Sequence, residues 1–114
     1  MSEAGVRWAT TADLIEGEAA EVVADLVPES DALYVSVDLD VLDIAWVPGT
    51  TLPEPGGLSY RQLREALVEL ARRGRVVGFD IAELNPPHDP SGSTARVATS
   101  LITHFLSEIF EQRR

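Results

Sequence analysis

The sequence predicts an α/β fold in which helices cover the faces of a parallel sheet, a three-layer arrangement. Two observations support this prediction. Short apolar segments rich in β-branched residues alternate with longer segments of helical periodicity, and their order along the chain is β-α-β-α-β-α. That order favours parallel strands joined by right-handed helical crossovers. Because 114 residues suffice for one core and not for two, we expect residues 1–114 to form a single domain.

The first half of the chain supplies two predicted strands and one helix. Residues 5–10 are short and β-prone, and residues 32–37 are apolar enough for a buried strand. Between them, Thr10 and Asp13 have the spacing of a capping box, and apolar side chains recur at helical spacing over residues 11–26. We therefore expect one helix to connect the two strands.

The second half supplies two helices and a strand. Ser59 and Gln62 form a second capping box, before an apolar stripe of helical spacing. Residues 76–81 have the composition of another buried strand, and Ser93 or Thr94 can cap a final helix. On the first of these helices, four arginines lie opposite the apolar stripe and are expected to face solvent: Arg61, Arg64, Arg72 and Arg73. A sheet of about three strands leaves its edges unpaired, so the predicted domain is a partial one.

The composition excludes several classes of function. The formal charge is −10, whereas a nucleic-acid binder gathers Lys and Arg into a basic patch. All nine basic residues are Arg, so no mechanism can use a Lys base, a Schiff base or a P-loop Lys. Without Cys, a metal ion would need carboxylate, imidazole or water ligands. With no targeting region and no bilayer-spanning apolar segment, we expect a cytoplasmic protein that binds neither nucleic acid nor membrane.

Acidic side chains follow both buried strands. Asp38, Asp40 and Asp43 come after the first, and Asp80 and Glu83 lie at the end of the second. Ligands of parallel sheets bind beyond the carboxyl ends of the strands, so we expect these groups at one rim. If the strand geometry continues, the first two carboxylates point the same way and repel each other, unless one is protonated or a cation lies between them. Oxygen ligands of this kind suit Mg²⁺ or Mn²⁺.

A structural role competes with the metal site. In an isolated D-x-D pattern, one Asp more often caps a turn while the other is solvated. The position of Asp38 and Asp40 at a strand end, before a long loop over residues 39–57 that is rich in Pro and Gly, favours a site. The pattern by itself does not identify a reaction.

Two motifs resemble those of a known family. The run VDLDVLD at residues 37–43, with PGT at 48–50 and GGL at 56–58, resembles the signature of the ureohydrolases, the arginase and agmatinase family. In that signature, D-x-D-x-x-D leads into a Pro/Gly loop and the next helix. The run FDIAELNP at residues 79–86 is similar to the second family motif, D-x-x-E with a nearby Pro. The resemblance implies the C-terminal part of an arginase-like fold.

The resemblance also implies roles for the acidic residues. Asp38 would bridge two Mn²⁺ ions and Asp40 would bind one of them, with a hydroxide between the metals as the nucleophile. Glu83 matches the carboxylate that holds the guanidinium-type group of the substrate. Asp43 and Asp80 are candidates for supporting these groups, with a structural role in a loop as the simpler expectation. By resemblance, the function is hydrolysis of a C–N bond in a linear amidine such as agmatine or arginine, by a homo-oligomer.

The chain also departs from the family pattern. The other family ligands, a His and an Asp-x-His-x-Asp run from the N-terminal half, are not in this sequence. His88 and His104 do not fit that pattern, and we expect them to be solvated or structural. In the loop, Ile44, Thr51 and Leu52 stand where the family has Pro and Gly-Thr. We therefore expect a segment that needs a missing N-terminal half or a second chain and is catalytically silent alone.

Two alternatives remain open at the level of sequence. One is a non-catalytic interaction or partner module that keeps the fold and has lost the chemistry. The other is an aspartate-nucleophile phosphatase, since DLDV at residues 38–41 also matches its motif. That phosphatase family uses a Lys further along the chain, and this sequence has none.

Overall fold

The structure is a computed structural model that describes residues 5–113. It contains, in order, helices α1 (Thr11–Glu16) and α2 (Ala19–Leu26), strand β1 (Ser30–Asp38), helix α3 (Tyr60–Arg73), strand β2 (Gly74–Ala82) and helix α4 (Ser93–Gln112). A short 3₁₀ helix follows each strand, Leu39–Val41 after β1 and Pro86–His88 after β2. The two strands pair in parallel, which confirms the predicted α/β class. None of the helices within residues 5–113 is both long enough and apolar enough to cross a bilayer.

The sheet has two strands where the sequence predicts three. Residues 5–10 form no strand, so this prediction is wrong. The segment lies instead against the end of α2, where Arg7 Nη1 donates to the carbonyl of Leu26 over 3.4 Å. Trp8 remains 67% exposed. Strand propensity reflects packing on a pleated, half-buried surface, and this segment has no such surface beneath it.

The single helix predicted over residues 11–26 is also wrong, because it is divided into α1 and α2. The Thr10 capping box begins α1 as predicted: Thr10 Oγ1 accepts the N–H of Asp13 at 3.1 Å, and Asp13 Oδ2 accepts the N–H of Thr10 at 2.7 Å. Helix α1 ends before Gly17, whose backbone is extended. Glycine inside a helix costs about 1 kcal/mol relative to Ala, which makes it a favourable place for the break.

The core lies between one face of the sheet and helices α3 and α4. In β1, buried Val35 and Val37 alternate with exposed Tyr34 and Ser36. In β2, Phe79 packs edge-on against Phe105 of α4 with ring centroids 5.1 Å apart. The strands were expected to be buried on both faces, yet Tyr34 is 65% exposed. The reason is that the described helices lie on one side, so a third layer would have to come from further polypeptide.

Helix α3 begins with the predicted capping box, and Arg73 in its last turn has a different position from the one expected. Ser59 Oγ accepts the N–H of Gln62 at 3.1 Å, which confirms the predicted start. Arg73 does not face solvent. Its Nε donates to the carbonyl of Val27 and its Nη2 to that of Ala24, each over 3.0 Å. The last carbonyls of a helix have no partner within the helix, so Arg73 satisfies those of α2 and ties α2 to α3.

Candidate functional site

The register of the sheet places the two acidic clusters at one rim. Asp38 is the last residue of β1 and pairs with Ala82, the last residue of β2. Glu83 follows immediately, so it leaves the sheet at the same end. Neighbouring strands are about 4.8 Å apart. The aspartate motif and Glu83 therefore lie at the same rim of the sheet, as the order of strands predicts.

The structure does not align Asp38 and Asp40 by strand geometry. The chain leaves the extended conformation after Asp38 and enters the 3₁₀ helix, so strand alternation does not align the two side chains and that expectation is wrong. Instead, Asp38 Oδ1 accepts the N–H of Asp40 at 2.9 Å and caps this helix. A short cap thus keeps the two residues adjacent at the rim.

Asp40 carries an unpaired polar atom. Its Oδ1 is buried and has no hydrogen-bond partner, and it is the only such side-chain atom found within residues 5–113. Leaving a buried acceptor unsatisfied costs about 1–3 kcal/mol. A cation would satisfy this oxygen, and hard divalent ions prefer oxygen ligands.

The described residues alone do not supply a full set of ligands for a divalent ion. Within the described chain, no group of three or more His, Asp or Glu side chains is placed to hold an ion. A divalent ion takes about six ligands in such sites. The remaining ligands would therefore have to come from outside these residues.

Asp43 fastens the long loop after the aspartate pair. Its Oδ1 accepts the N–H of Ala45 at 2.9 Å, and its Oδ2 accepts that of Gly56 at 2.8 Å. These hydrogen bonds, that of Ala45 first, lower the pKa of the Asp43 carboxyl. Since Ala45 and Gly56 lie near the two ends of the loop, one carboxylate closes it.

The loop is packed as well as closed. Its side chains Leu42, Val47 and Thr50 are fully buried. Gly57 lies so close to the backbone that a Cβ there would be 2.5 Å from the N of Asp43. A glycine is therefore required at this position for the loop to fold back on itself.

Asp80 supports the sheet and does not orient a loop, so that expectation is wrong. It lies within β2 on the exposed face, opposite Ser36 in the register. Its Oδ1 accepts the hydroxyl of Ser36 at 2.7 Å, and its Oδ2 accepts that of Tyr34 at 2.8 Å. These bonds, that of Ser36 first, lower the pKa of Asp80, and the Asp80 partner raises the pKa of Tyr34. Both partners are side chains of the neighbouring strand.

Glu83 has an unusual backbone conformation. Its φ is 71°, the only positive value for a non-glycine residue within residues 5–113. The next residue, Leu84, forms an antiparallel bridge with Thr50 of the loop. A left-handed conformation outside glycine costs about 1–3 kcal/mol and is found most often at functional sites. The turn aims the segment after β2 toward the loop that follows the aspartates.

A hydrogen-bond network surrounds Asp89, which was not predicted as a functional residue from the sequence. Its Oδ2 accepts the N–H of Thr94 at 2.9 Å and the hydroxyls of Thr94 and Ser93 at 2.8 and 3.0 Å. Gly92, with φ of 76°, occupies the N-cap position of α4, so neither Ser93 nor Thr94 is the cap that the sequence predicts. Hydrogen bonds from Ser91, then from Thr94, hold the pKa of Asp89 far below its usual range. An Asp followed closely by three hydroxyl residues was the available signal.

Thr94 connects this network to the loop. It is 1% exposed, and its Oγ1 accepts the N–H of Gly49 at 2.8 Å. The carbonyl of Gly49 in turn accepts the N–H of Asn85 at 2.7 Å. A Cβ at Gly49 would lie 2.6 Å from Cβ of Asp89. The loop after the aspartates, the segment after Glu83 and the start of α4 are therefore joined at Gly49.

The two histidines have surface positions. His88 is exposed, and its Nδ1 lies 3.2 Å from the carbonyl oxygen of Thr50, so the ring adds to the same junction. His104 is exposed on α4, and its Nδ1 lies 2.8 Å from the carbonyl oxygen of Ser100. Neither ring contacts the aspartate pair.

Comparison with known proteins decides the family. The model of the arginase family matches residues 1–107. The chain belongs to the arginase family. This confirms the resemblance carried by the two motifs. This chain is 42% identical over 105 residues to an agmatinase from Pyrococcus horikoshii. The alignment covers 92% of this chain and 35% of that protein.

Solved structures of arginase-family proteins have the same fold. Proclavaminate amidinohydrolase from Streptomyces clavuligerus superposes with a TM-score of 0.80 at 35% identity, over 96% of this chain and 36% of that one. A formiminoglutamase from Trypanosoma cruzi, solved with Mn²⁺, gives a TM-score of 0.74 at 24% identity, over 85% of this chain and 34% of that one, and this likeness concerns the fold. The chain thus spans about a third of the length of the relatives it matches.

Replacing Glu83 by glycine should stabilise the chain. Relief of the left-handed strain outweighs the extra flexibility of glycine in the unfolded state, so we expect a gain of about 1 kcal/mol in the free energy of unfolding. Urea denaturation measures this change. As a control, Glu29→Gly alters an exposed residue without positive φ and should lose stability. A loss of stability in both variants would show that Glu83 is unstrained.

Stability should fall in acid, and Asp89 should account for part of the fall. Folding lowers the pKa of Asp89 below its ordinary value of 3.8. The ionised carboxylate therefore contributes fully to the free energy of unfolding above about pH 5, and this contribution is lost as the pH falls through 3.8 and below. Urea midpoints at neutral and acidic pH should therefore differ less for Asp89→Asn than for the original chain. Asp31→Asn, which removes an exposed carboxylate, should leave the difference unchanged. Equal pH dependence in the Asp89 variant would contradict the assignment.

Proposed function

We propose that this chain is the C-terminal part of a binuclear manganese ureohydrolase that cleaves a C–N bond of a guanidino or amidino substrate. The observation that carries the proposal is the buried, unpaired Oδ1 of Asp40 next to Asp38, on the rim that Glu83 shares, in a member of the arginase family. Family membership favours this function over an aspartate-nucleophile phosphatase.

Asp38 and Asp40 are the proposed metal ligands. The unpaired oxygen of Asp40 points to direct ligation, and Asp38 is held beside it by the cap that it forms. When bound, two Mn²⁺ ions would lower the pKa of a shared water and stabilise negative charge at the tetrahedral carbon. The protein contributes the positions of both carboxylates, which the 3₁₀ helix fixes relative to the strand end.

Glu83 is the proposed substrate-binding residue. Its carboxylate is exposed at the same rim and can accept charge-assisted hydrogen bonds from a guanidinium or amidinium group. The left-handed turn at Glu83 and the bridge from Leu84 to Thr50 hold its backbone on both sides. This rigidity would orient the substrate carbon toward the aspartate pair. The net charge of −10 also attracts a cationic substrate.

Further polypeptide is needed to complete the site. The chain covers about a third of its relatives, and the missing ligands would come from an N-terminal portion or from a second chain. Two surfaces of the chain support contact with such further polypeptide. One is the exposed sheet face around Tyr34, and the other is an apolar trough along β1 that is lined by Val35, Val37, Leu63 and Leu67. In this proposal, residues 1–114 are one part of a domain that works as a cytoplasmic homo-oligomer.

The names of the relatives support a substrate class for this proposal. Agmatinase, proclavaminate amidinohydrolase and formiminoglutamase differ in the substrate that each name indicates. All three are arginase-fold proteins, so membership of the family supports cleavage of a C–N bond. The proposed substrate is therefore a linear amidine, given as a class. A non-catalytic partner module is the competing function, and metal binding separates the two.

Mn²⁺ should bind weakly to the isolated chain, and both aspartates should be required. With only part of the ligand set present, we expect calorimetry to show low affinity that either Asp38→Ala or Asp40→Ala abolishes. Asp31→Ala, which removes an exposed carboxylate on β1, is the matched control and should bind as the original chain does. Absence of binding, or binding that survives both substitutions, would favour the partner module. Urea release by the isolated chain would contradict the incomplete site.

Joining the chain to the missing portion should produce activity. We propose a chimera in which this chain replaces the matching third of the Pyrococcus horikoshii agmatinase, to which it is 42% identical. With Mn²⁺, it should release urea from agmatine, and Glu83→Gln should lower kcat/KM by about 100-fold or more because the substrate is no longer oriented.

The matched control for the chimera is Glu29→Gln, an exposed change before β1, at the far end of the sheet. It should leave kcat/KM unchanged. A folded, manganese-loaded chimera that is inactive, or one in which Glu83→Gln is fully active, would overturn the proposed role.

A further inference from the structure

An arginine-lined cavity lies at the end of the sheet opposite the acidic rim. It has a volume of about 280 Å³, and its walls come from the end of α3, the start of β2 and the end of α4. Arg72, Arg75 and Arg113 line it, and none of the described residues that line it is acidic. Gly74 lies in its wall and Ala82 at the rim, so the length of β2 separates the two sites by roughly 26 Å.

The three guanidinium groups retain most of their donors. Arg113 Nη2 donates to the carbonyl of Val76 over 2.8 Å, and Arg72 Nε lies 3.5 Å from a carboxylate oxygen of Glu108. Arg75 makes no hydrogen bond or ion pair with its side chain among the described residues. Each guanidinium has five N–H donors, so the two contacts leave most donors of these lining residues unused.

Local charges do not balance within the cavity. The three arginines carry three positive charges. The nearby negative charges are Glu108 and the carbonyl ends of α3 and α4, and each helix end is equivalent to about half a negative charge. Roughly one positive charge is left over, in a chain whose net charge is −10. Attraction to the carbonyl end of a helix explains the presence of Arg72 and Arg113. It does not explain Arg75, which belongs to β2.

We propose that this cavity binds a small oxyanion, a phosphate or carboxylate group, through Arg72, Arg75 and Arg113. The planar fork of arginine matches such groups in two-point hydrogen bonds. The volume suits a compact ligand, and the floor of Ala71, Val76 and Ile109 is buried and apolar, which strengthens charge attraction above it. The site is independent of the proposed hydrolase function, since it uses none of the rim residues.

The test is a titration of the 114-residue chain with sodium phosphate at constant ionic strength, followed by the NMR shifts of the Gly74, Arg75 and Val76 amides. We expect a saturable response whose affinity falls about fivefold or more in Arg75→Gln. Arg61→Gln removes an exposed arginine of α3 that pairs with Glu65 and does not line the cavity, and it should bind as the original chain does. A parallel titration with succinate identifies the preferred oxyanion, and saturation with either upholds the site.

Two results would overturn the proposal. One is a response to both anions that grows linearly with concentration, as expected for general ionic effects. The other is unchanged affinity in Arg75→Gln. Since the Arg75 side chain is exposed and makes no contact that the fold needs, this variant should fold. If it does not, Arg72→Gln provides the same comparison.

Discussion

The parallel pairing of β1 with β2 is the constraint on which the candidate site depends. Matching Asp38 with Ala82 places the aspartate motif and Glu83 at one rim, although a loop and a helix separate them in sequence. The same register sets Ser36 beside Asp80, whose carboxylate links the strands across the exposed face. A slip of one residue would turn Asp80 toward the apolar core and misplace Glu83.

Four aspartates show how an acidic chain accommodates its carboxylates. Asp38, Asp43 and Asp89 each accept backbone N–H groups: Asp38 caps a 3₁₀ helix, Asp43 closes a loop, and Asp89 accepts an N–H from the first turn of α4. Asp40 is the exception, with a buried oxygen that no donor reaches. This contrast distinguishes Asp40, because buried polar atoms are nearly always hydrogen-bonded.

The fold is consistent with a part of a larger assembly. Its helices cover one face of a two-stranded sheet, while Tyr34 and the outer face remain exposed. Arginase-family relatives are about three times as long as this chain. The junction at Gly49 is nevertheless formed by described residues of this chain alone.

The sequence by itself determined the features that depend on neighbouring residues. The capping boxes at Thr10 and Ser59, the two strands and the acidic motifs are local patterns, and each was predicted. Tertiary structure alone decided that residues 5–10 form no strand, that Asp80 faces β1, and that Thr94 holds Gly49. These outcomes depend on which distant surfaces come into contact, and the left-handed turn at Glu83 is maintained in the same way, by its bridge to a loop far away in the sequence.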